Sequence, residues 1–261
     1  MATRKPARRS RAPLGFWSRC IDWFDRAPPG FWSQRVDWYV DTRPYSRREL
    51  AVDAVVNIGG GLFGLMACAS FAAQSLRSFG DSPHIRWSLV AYVLSLASML
   101  VCSAVYNTFA WSRRTPLLRL LKLCDHAGIL LLIVGTWTPL LASTGCHRAL
   151  AVEWACAAVS FVHKLAYPAE VGPMQLACFV GIGCVPLLLW GHLRSALTDE
   201  AMRLGSWAGC IYIGGLLPFS WSRLEGHTIL WHACVMLASV CAFQANRKVA
   251  THAARFAAGV T

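Results

Sequence analysis

The chain has 261 residues, of which 56% are apolar and only 15% charged, where soluble domains carry roughly a quarter charged residues. This excludes a disordered chain, which would be poor in aromatic and aliphatic residues, and argues against an ordinary soluble domain. The net charge of +12 is unevenly spread, because the first fifty positions hold 11 of the 25 Lys and Arg.

Residues 1–48 read as a basic cytosolic tail. Gly15-Phe16-Trp17-Ser18 with Asp22-Trp23 recurs 15 residues later as Gly30-Phe31-Trp32-Ser33 with Asp37-Trp38. In the first unit Phe16, Trp17, Cys20, Ile21 and Phe24 recur at helical spacing beside Arg19 and Arg26. Such a unit is either a short basic helix lying in a membrane interface or a duplicated linker. The acid-free start, with Arg4, Lys5, Arg8, Arg9 and Arg11, also has the composition of an organellar transit peptide. Next to a membrane domain, the partner for this charge is anionic lipid and not nucleic acid.

From residue 49 to 247 the spacing of apolar runs predicts seven membrane-crossing helices, at 52–76, 87–111, 118–142, 149–166, 172–193, 203–220 and 227–246. The fourth is interrupted by Glu153 and His163. Trp87, Trp111, Trp190, Trp207 and Trp221 cluster at segment ends, where amphipathic rings favour the headgroup region. Backbone groups facing lipid must be paired within their own segment, so the fold class is an all-α integral membrane bundle. Residues 248–261 remain as a short C-terminal tail. A cytosolic N-terminus puts Arg113, Arg114, Arg119 and Lys122 on the cytosolic side as well, as the positive-inside rule prefers. Nine of the eleven cysteines fall within apolar stretches and no Cys-x-x-Cys occurs, so they read as small hydrophobes.

Ionisable groups at membrane depth are costly, and each marks a candidate site. Asp53 and Asn57 lie on the first segment, Ser103 and Asn107 on the second, Asp125 and His126 on the third, and His227 and His232 on the last. With the N-terminus inside, all stand at one level on the cytosolic side. At i,i+4 Asp53 and Asn57 share a helix face, and so do Ser103 and Asn107, whereas His227 and His232 at i,i+5 are about 140° apart. His126 points to a different face from its neighbour Asp125. Glu153 is expected to pair with Arg148, with a place facing a cavity as the alternative, and His84, His147, His163, His192 and His252 to be loop or interface residues. Gly59-Gly60-Gly61 is expected to allow close helix packing. Pro139 and Pro218 are expected to kink or end their helices. No charged stripe runs along one helix to line a pore.

The motifs resemble those of the haemolysin III / progestin and adipoQ receptor family. Residues 119–139, RLLKLCDHAGILLLIVGTWTP, are similar to the family's third helix, Asp-His-x-x-Ile followed by Gly-[ST]-[YW]-Thr-Pro. Ser103-Ala-Val-Tyr-Asn107 resembles the second-helix Ser-x-x-Tyr-His. Tyr45-Ser46-Arg-Arg-Glu49, leading to Asp53 and Asn57, resembles the start of the first helix. His227 to His232 resembles the seventh-helix His-x-x-x-His.

The resemblance implies seven helices holding a zinc ion near the cytosolic side, bound by three histidines, with a serine and an aspartate supporting a bound water. Family members are described as receptors and as candidate hydrolases of ceramide-like amides. Carried over residue by residue, Asp125 and Ser103 take the catalytic positions and His232, His227 and Asp125 the metal positions. Asn107 and Asn57 stand where the family has histidine, and Thr228 stands four before His232, with His227 one residue off. Asparagine is a poor zinc ligand beside imidazole. The expected function is therefore a receptor-like or regulatory membrane protein with a degraded metal site, taking a lipid ligand. The alternative is a zinc-dependent hydrolase with a lipid amide as substrate.

Overall fold

The computed structural model describes residues 45–78, 83–109, 116–166, 173–221 and 223–257. Residues 1–44 of the basic tail, with its repeat, and Trp111, Arg113 and Arg114 lie outside these. Among the described residues eight α-helices follow one another: α1 Arg47–Ser78, α2 Pro83–Phe109, α3 Pro116–Ser143, α4 His147–Ala166, α5 Pro173–Cys184, α6 Trp190–Ala196, α7 Asp199–Ser220 and α8 His227–Ala257. A 3-10 stretch, Val185–Leu189, joins α5 to α6, and no strand occurs among the described residues.

The helix ends follow from local chemistry. Proline, with no N–H to satisfy, opens α2, α3 and α5. Ser46 and Glu49 form a capping box ahead of α1: Ser46 N–H donates to Glu49 Oε2 at 2.9 Å and Glu49 N–H to Ser46 Oγ at 3.1 Å. Thr198 caps α7 by accepting the Ala201 N–H. At the end of α3 the chain turns at Gly145, whose φ of +73° suits glycine, and the Cys146 N–H returns to the Leu141 carbonyl at 2.8 Å.

α2 packs between α1 and α3, and α7 lies along α8. The largest buried cluster brings together Phe71 of α1, Tyr92 and Leu96 of α2, Leu132 of α3 and Val235 and Phe243 of α8. Close approach depends on small residues. A Cβ at Gly128 would lie 2.9 Å from the Met99 Cα, and one at Gly135 would lie 2.5 Å from the Ser95 Cβ. Of the glycine triplet, Gly60 and Gly61 face Met236 and Ala104, whereas Gly59 meets nothing.

Among the described residues, five helical stretches are long and apolar enough to cross a membrane: 47–73, 83–109, 120–143, 175–196 and 227–253. The predicted seven helical segments all recur, with α5, the 3-10 stretch and α6 forming one of them. α4 and α7 fall short on apolarity, α4 carrying Arg148, Glu153 and Lys164 and α7 opening on Asp199, Glu200 and Arg203. α8 does not stop at residue 247 but continues to Ala257. Trp87, near the start of α2, and Trp221, just after α7, are exposed at helix ends, as amphipathic rings at an interface would be, whereas Trp207 is exposed within α7, as its ninth residue. Glu153 is not paired with Arg148. It is fully buried and among the described residues neither carboxyl oxygen has a hydrogen-bond partner, while Arg148 is exposed.

Candidate functional site

Glu49, Asp53 and Asn57 recur every four residues on one face of α1, and all three are buried. The outermost ties the first helix to the last. Glu49 Oε1 accepts the Gly226 N–H at 2.8 Å, in the turn just before α8. Beside it the Tyr45 hydroxyl meets His227 Nε2 at 3.0 Å, with the ring centroids 5.9 Å apart.

One turn deeper, Asp53 Oδ1 lies 2.6 Å from His232 Nδ1, and each side chain is only 12% exposed. Asn57 Nδ2 lies 3.0 Å from the same ring nitrogen. One nitrogen cannot donate to Asp53 while accepting from Asn57. The orientation of the Asn57 amide is fixed independently, because Nδ2 donates to the Asp53 carbonyl at 2.9 Å and Oδ1 accepts the Ser103 hydroxyl at 3.1 Å. The shorter contact to a carboxylate is the stronger bond, so the proton sits on Nδ1 and Asn57 only packs against the ring. In the neutral ring the lone pair is then on Nε2.

Asn57 also carries the network to α2. Asn107 Nδ2 donates to the Ser103 carbonyl at 2.9 Å and to its hydroxyl at 3.1 Å, and lies 3.4 Å from Asn57 Oδ1. From α3, Asp125 interacts with the Ser103 hydroxyl and with His232. A cavity of about 10 Å³, the room of one water, opens between Asn57, Gly60, Met99, Ser103, His232 and Met236.

Asp53, Asn57, Ser103, Asn107, Asp125 and His232 thus converge from four helices. His227 does not join them, since it opens α8 and is held on Tyr45. His126 keeps a buried Nδ1 without a hydrogen-bond partner among the described residues. The expected ligand trio His232, His227 and Asp125 is therefore not assembled. Among the described residues no three His, Cys, Asp or Glu side chains form a group that could hold a metal ion. The groups around His232 are amides, a hydroxyl, the Asp53 carboxylate already bonded to its Nδ1 and the Asp125 carboxylate, with no second imidazole among the described residues, a set that does not fit zinc.

Ser239 and Asn246 are among the buried polar residues that escaped sequence reasoning. His232, Ser239 and Asn246 stand seven apart along α8, and Ser239 and Asn246 are fully buried. Ser239 Oγ meets the Tyr212 hydroxyl at 2.8 Å, and Asn246 Nδ2 donates to the Ala242 carbonyl at 3.1 Å and the Thr136 carbonyl at 3.3 Å. The seven-residue spacing was the available signal.

A bundle of long apolar helices enclosing such a polar cluster defines an integral, multi-pass α-helical membrane protein. The model of haemolysin-III-related proteins matches residues 53–243, and the chain belongs to that family. The match begins at Asp53 and takes in every member of the cluster. Over 187 residues the chain is 27% identical to Hemolysin-3 of Bacillus cereus, covering 69% of this chain and 84% of that protein. Over 164 residues it is 23% identical to the Hemolysin-3 homolog of Bacillus subtilis (strain 168), covering 60% and 76%. The relation to adipoQ receptors expected from the motifs is consistent with this membership.

Proposed function

We propose that this chain is a receptor-like or regulatory membrane protein of seven spans, with its N-terminus in the cytosol. In this reading a hydrogen-bonded carboxylate–imidazole pair stands in place of a metal centre, and the cavity beside it widens at the flexible Met99 and Met236, from the room of one water, to take the polar head of a lipid. The observation that carries the reading is Asn57, whose amide donates to the Asp53 carbonyl and accepts from Ser103 next to the His232 ring. Where a third imidazole would complete a zinc site, the amides of Asn57 and Asn107 complete a hydrogen-bond network. Its donors and acceptors match a hydroxyl or amide headgroup, while Met99 and Met236 offer flexible apolar contact to a chain.

The reading is tested with the full chain in liposomes containing a photoactivatable ceramide analogue. Crosslinking is expected at Met99 or Met236 without cleavage of the amide, whether or not zinc is added. Zinc-dependent cleavage would overturn the reading in favour of a lipid amide hydrolase. Absence of crosslinking at the cavity would overturn the lipid ligand.

A further inference from the structure

Glu153 lies on α4, away from the polar cluster. It is fully buried, and among the described residues neither oxygen of its carboxyl has a hydrogen-bond partner. Helical register places it between Leu150, three residues before, and Ala157, four after. Ala157 belongs to an apolar cluster with Val134 and Ile182, and Leu150 packs against one containing Leu141 and Leu193. The carboxyl is thus set between two apolar clusters, one packing on the end of α5 and the other on α6, at the level of the 3-10 interruption and its buried Pro186. Leu187 and Leu188 of that interruption are exposed on the outer surface.

The ionisable side chains of the elements packed around this stretch offer no compensation. α4 itself carries Cys156, with Cys146 just before it, and α5 ends at Cys184. On α6, His192 contacts the Thr144 carbonyl and Arg194 is exposed. On α3, Trp154 of α4 bonds Thr138, which puts Asp125 and His126 about a dozen residues further along the helix. His163 and Lys164 lie about three turns further along α4, and Lys164 bonds Gln175. Among the described residues no ionisable group reaches the carboxyl, and an ionised form would carry a desolvation cost that none of them offsets. A structural role would need a partner, and an apolar side chain of similar size would fill the place at no such cost.

We propose that Glu153 is a second functional site, a proton-binding carboxylic acid housed between α3, α4 and the helix interruption and independent of the Asp53–His232 cluster. Its ligand is the proton, and it is approached from the apolar side of the bundle.

The test is labelling of the full chain in liposomes with the membrane-soluble reagent dicyclohexylcarbodiimide at neutral pH, where an exposed glutamate is ionised and inert. The acid proton passes to one carbodiimide nitrogen and the carboxyl oxygen bonds to the central carbon. The acyl group then migrates to nitrogen, so the protein gains one intact reagent and nothing leaves. Peptide mapping of the wild-type protein is expected to find the adduct at Glu153, unchanged by added sodium. Glu153→Gln is expected to lose at least ten-fold of the label, and Asp125→Asn to keep it. No adduct at Glu153 in the wild-type map would overturn the proposal whether or not the Gln variant folds. Protection by sodium would overturn it in favour of a metal-cation site.

Discussion

Asp53 and His232 stand 179 positions apart in the chain and 2.6 Å apart in space, and their contact joins the first helix to the last. Because the carboxylate fixes the ring's proton on Nδ1, the pair also decides which nitrogen the rest of the cluster meets. Asn57, Ser103 and Asn107 then settle their own hydrogen bonds around it.

Breaking this pair is expected to be costly. Asp53→Ala should destabilise the protein by ~3 kcal/mol, because it leaves the buried Nδ1 proton of His232 without its charged acceptor. Asp53→Asn keeps an acceptor for the Nδ1 proton and should lose only ~1–2 kcal/mol. Thermal unfolding of the detergent-solubilised variants measures both. A double-mutant cycle with His232→Ala should show that the two losses do not add.

The tie between α1 and the start of α8 makes a separate prediction. Glu49→Ala removes half of the capping box and leaves the Gly226 N–H without its carboxylate, a loss of ~1–2 kcal/mol. Hydrogen exchange at the Gly226 amide should rise in this variant and stay at the wild-type rate in Asn246→Ala.

The exposed Lys248–Glu200 pair, 2.9 Å apart, also bridges two helices but should behave oppositely. Its side chains are 45% and 48% exposed, so solvent screens the attraction. Lys248→Ala should change stability by no more than ~0.5 kcal/mol. An unfolding midpoint indistinguishable from wild type is the expected result.

Helix contact through glycine can be tested at Gly128, where a new side chain would press on the Met99 backbone. Gly128→Val should destabilise by ~1–3 kcal/mol, because the backbone has no rotamer with which to yield. Gly59→Ala on α1 meets no neighbour and should be neutral or slightly stabilising.

The bundle was legible because lipid forces an unusual composition and a fixed helix length on the sequence, and all seven helical segments stand where apolar runs placed them. The shared depth of Asp53, Ser103, Asp125 and His232 was legible for the same reason, since polar groups at membrane depth are few. Their partners were not. Nothing in the spacing shows that His227 is held by Tyr45, because that contact depends on the turn at Gly226. The expected Glu153–Arg148 pair failed for a different reason, one the spacing already held: five residues apart, about 500° of helical turn, the two side chains diverge by about 140°. Register along one helix can be read from sequence, whereas the neighbour across it depends on how helices cross.

His232 is held by Asp53, and the proposed function requires that it does not ligate a metal. Elemental analysis of the purified protein, alongside His232→Ala and Asn107→His, tests it directly. The account predicts no stoichiometric zinc in wild type, unchanged in His232→Ala, with any gain confined to Asn107→His. One zinc per wild-type chain, lost in His232→Ala, would contradict it.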